Sequence, residues 1–429
     1  MSRRRPFAAL AVAETFSIAG TRLSTIAIPW LVLTTTGSAS LTGLVAFAEM
    51  LPYVLSKALG GPLIDRVGAR RVAVSCDAVS VLVVGLVPLL HLLGALTFPL
   101  LLPIVFAMGA LRGPSDSAKY SMVPDVAEQA DMPLERVTGV AGVIERLGTT
   151  VGAGLAGGLV ALVGPSQALA VNAATFALAA LLVRWGIPAT PRPAEPVATG
   201  ASITTYRDEL EDGWDFLRKD AVLVGIVTML ALTNLLDQAW SSVVLPVWIK
   251  DAGHGAGLLG LMFAVFSACS VGGAALAAAL GERLPRLPVY AVAFLVTGLP
   301  RFLVYALDSP VAVVMVTLAV AGFASGFLNP ILGAVIFERI PKPLMGRVSS
   351  LSTALCWVGI PFGGLVGGAL VTLAGVRWAM LGLGLAYFVV TLLPLARRSF
   401  REFGSAPRRA TADETAAEVR GDQPVVPAP

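Results

Sequence analysis

Residues 61–71 read Gly61-Pro62-Leu63-Ile64-Asp65-Arg66-Val67-Gly68-Ala69-Arg70-Arg71. This short charged stretch separates two apolar runs, near 41–61 and 72–93. Crossing roughly 30 Å of hydrocarbon takes about 20 mostly apolar residues, so each run is long enough to span a bilayer. The stretch between them then reads as a tight link at the membrane surface. Its glycines permit a sharp turn and close approach of helix ends. Its arginines anchor the link on one side.

The same alternation extends in both directions. Candidate spans lie near 7–33, 41–61, 72–93, 98–119, 137–163, 167–187, 221–247, 257–280, 287–306, 310–337, 347–373 and 376–396. Composition agrees: of 429 residues, 56% are hydrophobic and 14% are charged, against about 25% charged in a soluble domain. The fold class expected is an all-α membrane protein of twelve transmembrane helices in two six-helix bundles. Links as short as Gly164-Pro165-Ser166 imply antiparallel neighbours. The start, Arg3-Arg4-Arg5 before an apolar stretch, imitates a signal peptide. Glu14 interrupts that stretch and it continues to Leu33, so a retained first helix is expected.

Twelve spans place both termini on one side. That side collects Arg3–Arg5, Arg66, Arg70, Arg71, Arg136, Arg184, Arg192, Arg207, Arg218, Lys219, Arg283, Arg286, Arg339, Lys342, Arg347 and the basic tail, while the other holds little beyond Lys250 and Arg377. By the positive-inside rule the termini are cytoplasmic and the chain lies in the cell membrane. The organisation expected is an N-terminal bundle over 1–187, a linker over 188–220, a C-terminal bundle over 221–397 and a disordered tail over 398–429. The linker opens with Pro188, Pro191, Pro193 and Pro196. It turns amphipathic from Tyr206 to Leu210 and on through Trp214, Phe216 and Leu217, which predicts a short helix on the membrane surface.

The halves repeat. Residues 148–164, GTTVGAGLAGGLVALVG, align with 359–375, GIPFGGLVGGALVTLAG, at an offset of 211. Gly109 and Gly113 fall on Gly322 and Gly326 at 213, and Pro29 and Gly43 on Pro246 and Gly260 at 217. Matches in order at nearly one offset argue for two parallel bundles.

The link at 61–71 resembles the signature of the major facilitator superfamily, Gly-x-Leu-x-Asp-Arg-x-Gly followed by basic residues. Gly61, Leu63, Asp65, Arg66, Gly68 and Arg70 fall on it, and Ala69 departs where a basic residue is common. The resemblance covers roughly residues 7 to 396. It implies a gating role for Gly61, Asp65, Arg66, Gly68, Arg70 and Arg71, clasping the two bundles in one state and releasing them in the other. It also implies that spans one, four, seven and ten line a central cavity.

Charges inside spans point to that cavity, because one at the bilayer centre costs about 2.5–3.5 kcal/mol even on the lenient insertion scale. The first span has Glu14 and Arg22, the second Glu49 and Lys57, the fourth Arg112, Asp116 and Lys119, and the fifth Glu145 and Arg146. The seventh has Asp237 beside Asn234 and Gln238. At about 1.5 Å per residue, Arg22 and Glu49 come to similar depth and are expected to pair. The resemblance makes Glu14, Arg22, Arg112, Asp116 and Asp237 cavity residues, with Asn329 on the tenth span. Arg112 fits the family's fourth-span arginine, which is linked to proton coupling. Glu14, Asp116 and Arg112 are therefore the expected proton-coupling residues. Arg22, Glu49, Glu145, Arg146, Asn234, Asp237, Gln238 and Asn329 are expected at the substrate cavity. The competing reading of any one of these charges is a permanent salt bridge that locks packing.

Gly148 and Gly152, with Gly154, Gly157 and Gly158, give the fifth span small residues at close helix-packing spacing. They resemble the antiporter signature of that span, Gly-x-x-x-Gly-Pro-x-x-Gly-Gly, although Ala153 replaces its proline and the glycine pair comes one residue late. Gly359, Gly363, Gly367 and Gly368 fit the spacing on the eleventh span. The stretch Arg112-Gly113-Pro114 through Pro124-Asp125, then Glu135-Arg136-Val137, is similar to the exporter branch holding enterobactin-type siderophore exporters and macrolide efflux proteins.

Other chemistries are poorly served. None of the five lysines is followed by Ser or Thr, so there is no phosphate-binding Gly-Lys-Ser/Thr loop. Cys76, Cys269 and Cys356 lie far apart in apolar runs, and His91 and His254 are far apart as well. No metal, no cofactor, no enzyme activity and no nucleic-acid partner are expected. The reading is a monomeric secondary transporter that exports an amphiphilic organic solute, such as a drug, siderophore or secondary metabolite, in exchange for protons. Uptake by proton symport, and a membrane sensor or scaffold that transports nothing, are the alternatives.

Overall fold

The structure is a computed structural model that describes residues 4–188, 211, 213–280, 285–341 and 344–392. The linker from 189 to 210 and the tail from 398 lie outside the described residues, and with them most of the surface helix and all of the disordered tail expected above. Among the described residues every regular element is helical. In chain order the membrane-length helices are α1 (Arg5–Thr36), α2 (Ala39–Leu59), α3 (Ala69–Leu92), α4 (Phe98–Ser121), α5 (Leu134–Val163) and α6 (Pro165–Gly186). They continue as α7 (Ala221–Asp251), α8 (Ala256–Leu280), α9 (Arg286–Ala306) and α10 (Val311–Ile336). A last helical stretch, Val348–Leu392, is divided at Gly375 into α11 (348–374) and α12 (376–392). Eleven apolar stretches thus make twelve crossings.

The breaks have local causes. Gly164 between α5 and α6 has φ 85° and ψ 158°, and Gly375 between α11 and α12 has φ 81° and ψ 163°. A residue with a Cβ is strained at such φ. The repeat in the sequence therefore reproduces a backbone turn, residue for residue. Ser38 starts α2 by accepting the Leu41 amide at 3.3 Å, and Asp220 starts α7 by accepting the amides of Val222 and Leu223 at 2.9 and 3.1 Å. Both satisfy amides that a helix start leaves without partners.

In the N-terminal half α1 packs against α5 and α6, α3 against α4 and α6, and α2 against α4. In the C-terminal half α7 packs against α11, α8 against α10, and α9 against α10 and α12. The halves meet along α2–α11 and α5–α8. Lipid gives helices no hydrophobic reason to associate, so close approach of small residues carries the packing. The glycines supply it in symmetric sets. Gly148 and Gly152 lie against Ile18, Ala19 and Arg22 of α1, and Gly359, Gly363 and Gly367 lie against Ala231, Leu235 and Ala239 of α7. Between halves, Gly43 faces Gly364 and Gly157 faces Gly260. Within halves, Gly109 and Gly113 face the carbonyls of Glu49 and Tyr53, and Gly322 and Gly326 face those of Phe266 and Ser270.

The face where α1 starts is called here the terminal face, and the opposite one the far face. At the far face the bundles are joined. Lys250 donates to the Leu33 carbonyl at 2.8 Å, and the hydroxyls of Ser40 and Thr372 lie 2.7 Å apart. The α5–α8 contact runs from Ala161 and Gly257 to Gly154 and Ala264. Nearer the terminal face, Gly139 and Gly142 on α5 and Gly272 on α8 have open space where a Cβ would stand. The two bundles are therefore tied at the far face, while nearer the terminal face Tyr53 and Lys57 of α2 meet Trp357 of α11.

The described end of the linker, 213–219, is helical. It does not simply rest on a lipid surface. Leu217 is buried in a cluster with Leu223, Val227, Ile340, Val348 and Cys356. Its apolar side chain finds protein to pack against, which ties the linker to the C-terminal half.

Candidate functional site

The N-terminal half concentrates its charges in two layers. In the first, Arg112 on α4 donates to Glu49 on α2 at 3.1 Å and reaches Asp116, one turn on, at 4.0 Å. Its guanidinium stacks over the Tyr53 ring at 4.0 Å. The Tyr53 hydroxyl donates to Asp116 at 3.3 Å and accepts from Lys57 at 3.1 Å. Gly109 and Gly113 on α4 let α2 come close enough for this, since they stand against the backbone of Glu49, Tyr53 and Lys57. Thr21, Ser24, Ser80, Glu49 and Arg112 help line a cavity of about 10 Å³, close to the room one water needs. The layer also touches the other half: the Tyr53 ring stacks on Trp357 of α11 at 6.4 Å, and Lys57 Nζ lies 4.7 Å over the same indole.

In the second layer Lys119 on α4 pairs with Asp77 on α3 at 2.9 Å, both side chains wholly buried. Ser115 donates to Asp77 at 2.6 Å, and Lys119 donates to Ser17 of α1 at 2.8 Å. Glu14 is half-buried on α1, within electrostatic reach of Lys119, Asp116, Asp77 and Glu145. Glu145 and Arg146 are exposed on α5.

The expected pair of Arg22 with Glu49 does not form. Arg22 donates instead to Thr149 of α5 at 3.0 Å. The reason is packing: Gly152 draws α5 against the face of α1 that carries Arg22, with the Arg22 Cγ 3.4 Å from where a Cβ would stand. Glu49 is left to Arg112.

Among the described residues the C-terminal half has one charged pair at mid-span. Asp237 on α7 accepts from Arg301 on α9 at 2.7 Å. Arg301 is almost wholly buried, whereas the Asp237 side chain is 41% exposed. Immediately after Asp237, α7 widens into a π turn over Trp240–Val244, a deviation often found at functional sites. Asn234 is spent on α11, donating to the Cys356 carbonyl at 2.9 Å. Gln238 stands against Gly363, and Asn329 is exposed on α10.

At the terminal face the link at 61–71 forms a short helix, Gly61–Val67, ended by Gly68 at φ 93°. Asp65, Arg66 and Arg71 are exposed, and Arg70 donates to the carbonyl of Arg184 on α6, in its own bundle. Arg286 gives Glu338 two hydrogen bonds at 2.5 and 2.8 Å, which hold that carboxyl below the usual carboxylate range. Arg339 pairs with Asp220 at 3.0 Å.

Of the residues singled out in the sequence, Glu49, Arg112 and Asp116 lie together, and Lys119 and Asp237 each meet a partner; Asp77, Arg301, Tyr53 and Trp357 were not singled out. The first two carried the same signal as the others, a charge within an apolar run. The two aromatics carried none, because an aromatic on a membrane helix is unremarkable until its neighbours are placed.

Residues 10–242 and 227–427 match the sequence model of the Major Facilitator Superfamily. The multidrug efflux pump Tap of Mycobacterium tuberculosis (strain ATCC 25618 / H37Rv) is 30% identical over 413 residues, covering 95% of this chain and 97% of the relative. Tap of Mycolicibacterium fortuitum is 26% identical over 415 residues, covering 95% and 99%. Among solved structures, a mutant of the nucleoside transporter NupG superposes with a TM-score of 0.73 at 16% identity, over 91% of this chain and 99% of that one. A bacterial homologue of the lysosomal transporter Spinster, in an inward-facing and unoccupied conformation, superposes with a TM-score of 0.68 at 14% identity, over 94% and 98%.

Proposed function

The chain belongs to the major facilitator superfamily, and we propose that it is a secondary transporter exporting amphiphilic organic solutes, driven by protons moving inward. The termini are cytoplasmic in this reading, because the terminal face carries the arginine-rich links. The structure then corresponds to the inward-open state, ready to take solute from the cytoplasm or the inner leaflet. In this state Arg70 of the link at 61–71 holds the Arg184 carbonyl of its own bundle, and the clasp across the bundles belongs to the outward-open one.

The observation that carries the reading is the Glu49–Arg112–Asp116–Tyr53 cluster. It places two carboxylates on one arginine at mid-membrane, and it touches Trp357 of the opposite bundle. A carboxylate bordering a water path takes up a proton when the path opens to the acidic side and gives it up when the path opens to the other. Asp116 and Glu14 are the proton carriers, and Arg112 sets the charge they work against. Protonation of Asp116 weakens the charge-assisted hydrogen bond that it accepts from the Tyr53 hydroxyl. The change is thereby transmitted to the stacking contact between bundles, where the rocking motion acts. The similarity to the multidrug efflux pumps supports export over uptake.

The test is accumulation of a fluorescent lipophilic dye by inverted membrane vesicles containing the chain. Accumulation is expected to depend on an imposed proton gradient, to collapse on adding a protonophore, and to fall at least tenfold in Asp116→Asn or Glu14→Gln. Full proton-driven accumulation in both variants removes the site assignment, and accumulation indifferent to the gradient removes the coupling.

A further inference from the structure

Asp237 and Arg301 form an ion pair unlike those of the N-terminal half. Asp77 and Lys119 are sealed together, each 0% exposed, with no route for exchange. Arg301 is equally hidden, at 3%, but its partner Asp237 is 41% exposed. Arg301 also has more than its carboxylate to rest on. Its guanidinium lies 4.7 Å from the Trp240 ring, 4.7 Å from Phe302, 5.2 Å from Tyr387 and 5.9 Å from Phe266. These rings come from α7, α9, α12 and α8, so the arginine sits inside a ring of helices. Its Nε has no hydrogen-bond partner among the described residues. The charge is therefore held by aromatic faces as well as by Asp237, since such faces attract a guanidinium in a desolvated site.

This asymmetry has a chemical consequence. Breaking a buried ion pair is normally prevented by the uncompensated charge left behind. Here the charge that stays behind is the caged one, and the charge that is freed is the exposed one. We propose that Asp237 is a second proton-accepting carboxylate, placed in the C-terminal bundle, with Arg301 as the positioning residue that remains in its aromatic cage while Asp237 exchanges it for a proton. The step adds one proton to a carboxylate oxygen of Asp237 and loosens the hydrogen bond from Arg301, which keeps its own charge. The groups facing the carboxylate are Arg301 on α9 and Tyr387 on α12, with Tyr305 of α9 facing Arg301. α8 contributes the uncharged Phe266, and α11 packs on the neighbouring turn through Gly363. No second carboxylate of that cage competes for the proton among the described residues. The π turn beginning at Trp240 puts the cage and the change of helical geometry in α7 at one place, so release of Asp237 acts beside the irregular turn.

The proposal deepens the proton-driven reading of the site and rests on it, but its test needs no transport. The full chain, purified in lipid nanodiscs without substrate, is titrated from alkaline to acidic buffer while the infrared band of protonated carboxyl groups is recorded. Asp237→Asn is expected to lose one carboxyl contribution that Glu14→Gln and Asp116→Asn both retain. Tryptophan emission is expected to change over the same pH range, and that change to vanish in Trp240→Phe. A spectrum of Asp237→Asn superimposable on that of the unaltered chain overturns the proposal. Should Asp237→Asn not fold, Arg301→Lys keeps the charge but removes the flat face that stacks. It is then expected to displace the titration of the carboxyl, and an unshifted titration overturns the role of the cage. Loss of dye export with an intact Asp237 titration counts against the exporter reading and leaves this site standing.

Discussion

The Lys119 side chain is wholly buried. Its ammonium is held by Asp77 and Ser17, and Asp77 by Lys119 and Ser115, inside a layer closed by α1, α3 and α4. Removing one partner strands the other, which costs about 3–5 kcal/mol, whereas replacing both by apolar residues is often close to neutral. Lys119→Met alone is therefore expected to lower the melting temperature sharply in detergent. Asp77→Leu combined with Lys119→Met is expected to recover most of the loss. If the double variant melts as low as the single one, the pair has a role beyond mutual neutralisation. Single residues were the scale at which the sequence was least complete. A charge in an apolar run is visible at once, and Glu49, Arg112 and Lys119 were found that way. Its partner lies on another helix, and depth counted along each helix does not say which side of the helix faces which neighbour. Arg22 shows this: at the right depth for Glu49, it is turned toward Thr149 by the approach of α5.

Between helices, glycine spacing was legible as close packing, and the repeat offsets turn out to identify who packs on whom. Gly43 and Gly260 repeat each other, and so do the segments 148–164 and 359–375. In space Gly43 meets Gly364 of the second segment, and Gly260 meets Gly157 of the first. Each repeat thus supplies half of a seam whose other half is in the opposite bundle. This was not readable beforehand, because one offset says that two elements are equivalent and does not say what they touch. Two neighbouring glycines on α5 separate the packing role from the helix itself. A Cβ at Gly157 would stand 2.5 Å from the Gly260 Cα, whereas at Gly158 nothing lies within 4 Å. Gly157→Ala is expected to destabilise by about 1–3 kcal/mol through overpacking and to weaken closure of the far face. Gly158→Ala is expected to be neutral or stabilising by up to about 1 kcal/mol, as Ala is the better helix former. Paired melting curves decide it; equal effects at both positions would mean that the seam is loose.

Over the whole molecule the number of crossings followed from hydropathy and charge, because lipid permits few backbone solutions and basic links mark one face, and the twofold repeat followed from glycine and proline positions recurring at nearly one offset. The state of the molecule did not follow, since the sequence is the same in every state and only the contacts made at each face tell them apart. The link at 61–71 reads as a clasp, yet here Arg70 holds the α6 end of its own bundle, while the halves are tied at the far face through Ser40, Thr372, Lys250 and Leu33. A transporter that alternates between two openings must break those far-face contacts in every cycle. Cysteines at Ser40 and Thr372, whose hydroxyls are 2.7 Å apart, would tie the faces covalently once oxidised. In a chain whose Cys76, Cys269 and Cys356 are replaced by serine, oxidised Ser40→Cys/Thr372→Cys is expected to stop dye accumulation. Reductant is expected to restore it, and either cysteine alone to leave it unchanged. The locked form should still take up a thiol reagent at a cysteine placed at Gly139 on the open side of α5, which shows that the block is a trapped state and not a collapsed protein. Undiminished accumulation with the cross-link complete would mean that the far face never has to open, and two bundles rocking about a central site would not describe this molecule.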